Sequence, residues 1–386
     1  MSIFDHSLQQ LIDAGFDLRQ WQPAYPSHQL SDIRQICLDY KSSLKRSVSR
    51  RGLLLATPTK SEHYNYVWPG FRLNSSADQS EFSNFNPQDF NIFVFGGSAV
   101  HGCYLSDSQT ISAYFQNYFY DSYLPSNLSF KVYNCSGNNW TLDNCFSFYN
   151  VLLDQGFVPD AVFVLYGVND AKNIFWDDDI SILLHKLYVG YQSREPYCIP
   201  PLGLSCYSAE PIECSSIPDF KSAIGCSLTP TTKLLLDKLA FRLSLTQQNF
   251  AHSVRSHGGF FRSFLQPIPN YLDPFSEEFR FASSQSLCFN LSSIQRINYL
   301  YSFMANSRQT RLHKKFQSKL KFLDFCHYTS DSCRQIADYL FHRYHKPLFF
   351  KHLLASCALS KKYGISQSLI SNSSLPQPVR DQGFPS

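Results

Sequence analysis

Four short stretches of the sequence hold residue types that can do chemistry together. They are Gly96-Gly97-Ser98, the run Asn134-Cys135-Ser136-Gly137-Asn138-Asn139-Trp140, the turn Gly167-Val168-Asn169-Asp170, and Asp324-Phe325-Cys326-His327. A serine, amide-rich turns and an aspartate three residues before a histidine make up an inventory for acyl transfer: nucleophile, oxyanion donors, base and base-orienter. Taken alone, Gly96-Gly97-Ser98 has three readings: a tight turn, a phosphate cradle, or a serine held up at a strand end as a nucleophile. The turn reading leads for the tripeptide by itself, because Gly-Gly-Ser is common turn chemistry. The phosphate reading is weak, since neither a GxGxxG nor a Gly-Lys-Ser/Thr accompanies it.

The elements that must position these groups are legible from residue 91 onward. Apolar runs at Ile92–Phe95, Phe130–Tyr133 and Ala161–Leu165 predict strands. Between them lie predicted helices at about 107–120 and 142–153. In the first, Ile111, Tyr114, Phe115 and Tyr118 share one face. Strand–helix alternation of this kind predicts a mostly parallel sheet covered by helices on both faces. Ligand sites in such sheets form at the carboxyl ends of the strands. A further helix is marked by Leu235, Leu239, Leu243, Thr246, Phe250 and Val254, and is stopped by Gly258-Gly259. The strand Phe260–Leu265 follows, then helices near 286–306 and 330–344, the last with Thr329 or Ser330 at its cap.

Read together, the order GxS, N-x-x-G, GxND and DxxH resembles the SGNH/GDSL hydrolases. The resemblance covers roughly residues 91–345. "FGGSAVHG" is similar to the family's first block, with Gly97 where many members carry Asp. "LYGVND" and "FLDFCHYTSDSCRQIADYL" are similar to the third and last blocks. The resemblance implies a flavodoxin-like three-layer α/β/α sandwich and a serine esterase without metal or other cofactor. It implies Ser98 as nucleophile, His327 as base and Asp324 as the group that orients His327. Asn169 would donate its side-chain N–H to the oxyanion, with the backbone N–H of Ser98 and of a residue in the second block. That residue is Gly137 or Asn139; the match slips there.

Other residues near these motifs carry blander readings. Asp170 reads mostly as a helix cap. His101 reads as a structural or second-shell histidine, Cys103 and Cys326 as packing residues, and His252, His342 and His345 as surface residues. The expected substrate is a small-molecule or carbohydrate acyl ester. Two alternatives stand beside hydrolysis: an O-acyltransferase using the same triad, and a catalytically silent binding module with the same fold.

Composition bounds the rest. The 386 residues are 44% hydrophobic and 17% charged, which is globular. A net charge of +4 is too small to imply nucleic acid. The basic runs at Lys45-Arg46, Arg50-Arg51 and 311–321 read as solvated helix faces. No stretch approaches the ~18–20 apolar residues of a membrane span. The start lacks a secretory pattern, so a cytoplasmic location is expected. None of the 12 cysteines forms a CxxC pair. Cys198, Cys206, Cys214 and Cys226 cluster in a Pro/Ser-rich stretch; disulfides or a metal there are not the favoured reading, because the spacings match no known site and a cytosol is reducing. The expected organisation is a helical and irregular N-terminal extension over 1–90, a hydrolase domain over 91–350 with an insertion at about 188–230, and a disordered tail over 364–386.

Overall fold

The computed structural model describes residues 25, 29–42, 46–48, 53–75, 85–122, 129–172, 228–269, 291–304, 311–316, 319–323 and 326–363. Residues 188–227 of the expected insertion, with its four cysteines, the expected tail and Asp324 lie outside these residues, while Thr229 and Pro230 at the insertion's expected end already cap and open the next helix.

A six-stranded mixed sheet forms the centre. Its parallel part is built from β5 (Phe90–Gly96), β6 (Phe130–Asn134), β7 (Ala161–Tyr166) and β8 (Phe260–Leu265), in the order β6-β5-β7-β8. This is the doubly wound arrangement, in which the chain reverses direction across the sheet beside its first parallel strand. A short antiparallel hairpin, β3 (Tyr66–Val67) and β4 (Phe71–Arg72), joins the β6 edge through Arg72 opposite Asn134. Separately, β1 (Arg46–Val48) pairs antiparallel with β2 (Leu54–Ala56).

Burial explains the layers. All seven residues of β5 and all six of β7 are buried, which requires cover on both faces. Ile92, Val94, Phe163 and Leu165 point into one core with α1 (Leu30–Ser42), α3 (Ile111–Asp121), α8 (Arg311–Phe316) and α9 (Ser330–Tyr363). Phe93, Phe95, Val162 and Val164 point into the other, with α4 (Leu142–Asp154), α6 (Pro230–Ser256) and α7 (Leu291–Phe303). The period of two along each strand sorts these side chains into two cores. The result is a three-layer α/β sandwich, as the alternation predicts.

Local signals account for the helix starts. Thr110 accepts from the Ala113 N–H and caps α3, and Thr141 forms a reciprocal capping box with Asn144 on α4. Thr229 caps α6, with Pro230 in its first turn. The left-handed Gly258 (φ 78°) follows its end. Thr329 accepts from the Ser332 N–H at the start of α9.

Two stretches differ from the sequence reading. Residues 46–48 and 54–56 pair as antiparallel strands in a region read as helical. The apolar run Leu53–Ala56 is continuous, not spaced by three or four, so it offers a strand and no helical stripe. Arg46 therefore sits on a strand and not on a helix face. The last helix runs on through Pro347 to Tyr363, well past the expected 344. Among the described residues, no helix is long and apolar enough to cross a membrane.

Candidate active site

Ser98 opens the short helix α2 (Ser98–His101) directly after β5. The two glycines before it are required by close approach. A Cβ on Gly96 would stand 2.4 Å from Val100 Cγ2 and 2.9 Å from the carbonyl oxygen of Leu165 on the neighbouring strand. One on Gly97 would stand 2.3 Å from Nδ2 of Asn169. Neither glycine has positive φ. So the double glycine lets the next strand's turn approach the serine, and does not serve a left-handed bend.

Ser98 is half-buried, and its Oγ lies 2.7 Å from Nε2 of His327. With the Ser98 hydroxyl donating, Nε2 is the acceptor and the imidazole proton sits on Nδ1. His327 is buried on a tight return of the chain. The Leu323 N–H donates to the His327 carbonyl at 2.7 Å, and Phe322 bridges Tyr328. That return is fastened to the end of β8. Gln266 Nε2 donates to the Cys326 carbonyl at 3.1 Å, and the Tyr328 hydroxyl donates to the Pro267 carbonyl at 2.9 Å. Gln266 is fixed in turn by its N–H on the Tyr166 carbonyl and by Tyr301 Oη, which donates to its carbonyl.

Asn169 sits on α5 (Val168–Lys172), at the end of β7. One N–H of its amide donates to the Trp140 carbonyl at 3.0 Å. An amide nitrogen carries two protons, so this bond sets the nitrogen side of the group and leaves the second N–H available. Asp170 is fully buried beside it. Its carboxylate accepts from the Leu142 N–H and the Gly167 N–H, both at 2.9 Å. Burial pushes its pKa up to about 6, against the pull of those backbone donors. It ties the second and third motif loops together, and the expected capping role is thereby extended across two loops.

In the second motif, the Gly137 N–H donates to the Gly96 carbonyl at 3.1 Å. The Trp140 indole covers Gly137 so closely that a Cβ there would stand 2.3 Å from the ring. Asn139 is exposed and has φ 59°, the left-handed region that Asn tolerates better than most residues. Ser98, His327 and Asn169 are thus gathered at the ends of adjacent strands, Gly137 is engaged with the Ser98 strand, and Asn139 lies on the rim.

His101 is buried. Its Nε2 meets the Tyr66 hydroxyl, and its Nδ1 faces the Ser136 carbonyl at 3.1 Å. This is a structural link between the serine helix and the second motif. Cys103 contacts the Tyr40 hydroxyl and the Asn138 side chain, and Cys326 lies in the core.

Three residues that sequence reasoning passed over support this arrangement: Arg72, Tyr104 and Gln266. Arg72 is buried, pairs with Asp107 at 2.9 Å and donates to the carbonyls of His101, Gly102 and Leu105. Burial raises the Asp107 carboxyl above its ordinary value, while Arg72 and Asn65 pull it back. The faint signal that could have pointed to Arg72 is its place between Phe71 and Leu73, because an unpaired arginine in an apolar run is costly.

No family model matches the chain, and no curated protein matches it. A solved structure described as the crystal structure of TesA is similar at 14% identity. The match covers 67% of this chain and 99% of that one, with a TM-score of 0.32.

Proposed function

We propose that the chain is an esterase of the SGNH/GDSL type, which cleaves a carboxylic ester through an acyl-enzyme on Ser98. The observation that carries this reading is the 2.7 Å hydrogen bond between Ser98 Oγ and His327 Nε2, formed at strand ends beside the Asn169 amide. A serine hydroxyl is a weak nucleophile until a base within hydrogen-bond reach takes its proton. Ser98 Oγ attacks the ester carbonyl as His327 Nε2 accepts its proton. The tetrahedral oxyanion is met by the second Asn169 N–H, the Ser98 backbone N–H and a donor from the second motif. Asn139 fits that last role better than Gly137, whose N–H is engaged by Gly96. His327 then returns the proton to the departing alkoxide. Water, deprotonated by the same imidazole, hydrolyses the acyl-enzyme. Asp324 is the proposed partner of His327 Nδ1 and stabilises the imidazolium. The favoured substrate is a small O-acyl group on a carbohydrate, in keeping with an aromatic-rich chain whose rings can stack on sugars.

The test is labelling with an organophosphonate, followed by mapping of the modified residue. Label on Ser98, with loss of both label and ester hydrolysis in a folded Ser98→Ala protein, is the expected result. Full hydrolysis by Ser98→Ala would remove the serine mechanism.

A further inference from the structure

Tyr104 is a buried aromatic residue with φ 64°, six residues after Ser98. A bulky L-residue rarely adopts that backbone, and where it does the surroundings must hold it there. Here the holding groups are identifiable. Arg72 Nη1 donates to the carbonyls of His101 and Gly102, and Arg72 Nη2 donates to that of Leu105 at 2.6 Å. The Tyr64 hydroxyl adds a second bond to the Gly102 carbonyl at 3.0 Å, and the Tyr25 hydroxyl donates to the carbonyl of Tyr104 itself. The guanidinium is fixed too: Asp107 lies 2.9 Å from Nε, and the Tyr64 ring lies 3.9 Å beneath its carbon. The carbonyls on both sides of Tyr104 are therefore pinned from residues 25–72.

The consequence of that strained backbone is where the ring goes. It stands perpendicular to the His327 imidazole, at 88° with centroids 6.0 Å apart. The Tyr40 ring supports it at 5.0 Å. Perpendicular aromatic pairs at such distances attract and fix each other's orientation. Gln266 holds the backbone of the histidine's loop, whereas Tyr104 touches the imidazole.

We infer that Arg72 and Tyr104 act together as positioning residues: Arg72 clamps the chain after the serine, and the Tyr104 ring it presents holds the His327 imidazole in line with Ser98 Oγ. This rests on the serine-esterase reading above. Three variants test it: Tyr104→Leu, Tyr104→Phe and Arg72→Lys. Each is measured for thermal unfolding, for kcat and KM on a small activated acetate ester, and for the rate of organophosphonate labelling. Tyr104→Leu should lower kcat and the labelling rate together by ~10–100-fold, the scale of a misplaced general base, with KM little changed. Tyr104→Phe, which keeps the ring, should restore both. Arg72→Lys keeps the charge for Asp107 but loses the planar fork. It should show the same loss in kcat and labelling.

A folded Tyr104→Leu or Arg72→Lys protein that labels at the wild-type rate overturns the proposal. So does failure of both to fold, which would assign the pair to core packing alone. Persistent activity of Ser98→Ala would instead sink the esterase reading itself. A silent Ser98→Ala beside a fully reactive Tyr104→Leu sinks only the positioning role.

Discussion

Nδ2 of Asn169 lies 2.3 Å from the point where a Cβ on Gly97 would stand. The serine motif and the asparagine motif are therefore interlocked through the absence of a side chain. Any larger residue at position 97, including the aspartate common in the family that the motifs resemble, would push the amide off the Trp140 carbonyl. If Asn169 is the proposed oxyanion donor, Gly97→Ala should lower kcat by ~10²–10³, as Asn169→Ala should, because each would remove that one donor. The double variant should be no worse than either single one, since both act on the same group. Steady-state kinetics on the four proteins decides this. Additive losses would show that Gly97 protects something other than Asn169.

Ser98 and His327 should behave as one unit. Ser98→Ala and His327→Ala are expected to reduce kcat/KM to a common floor, and the double variant should go no lower. Multiplying losses across the pair would contradict a shared proton-transfer step.

Gln266 offers a milder perturbation of the same histidine. Gln266→Leu keeps the volume but removes the Gln266 hydrogen bond to the Cys326 carbonyl, at a cost of about 1–3 kcal/mol. Urea unfolding should register that loss, and kcat should fall with KM preserved. Wild-type values in both measurements would mean that the loop is fixed elsewhere.

Asp170 gives a pH signature in stability. Its pKa is raised from 3.8 to about 6 in the folded protein. Between those values the folded state holds a proton that the unfolded chain has released, so its contribution to stability falls as pH rises through this window and is level above it. A two-unit shift corresponds to about 3 kcal/mol. Asp170→Asn stays neutral throughout, so the variant should gain on wild type between pH 4 and pH 6 in chemical denaturation. A constant difference across the window would place the titration elsewhere.

What the sequence made legible follows from the kind of signal each feature leaves. The strand–helix alternation from Phe90 onward is visible because strands buried on both faces are apolar runs and the helices between them carry a stripe. Ser98, Asn169 and His327 are visible because each lies in a motif of defined residue types. Arg72 leaves almost no trace, since its partners are mainly backbone carbonyls and carbonyls have no residue identity. Tyr104 leaves none, since a left-handed backbone at a tyrosine is imposed by its neighbours. The strands at 46–48 and 54–56 are obscured by the helical spacing that precedes them. The residues expected as an N-terminal extension also reach the site through contacts that leave no sequence pattern. Among them, residues 25, 64 and 72 hold the serine's own loop.

Ser98 and His327 are separated by 229 positions along the chain. While the protein is being synthesised, the serine emerges long before the imidazole that would activate it. A nascent or prematurely terminated chain then displays the hydroxyl, the interlocked glycine and the asparagine without a base. Reactivity toward a phosphonate would report that translation has passed residue 327 and that the return carrying His327 has docked on the end of β8.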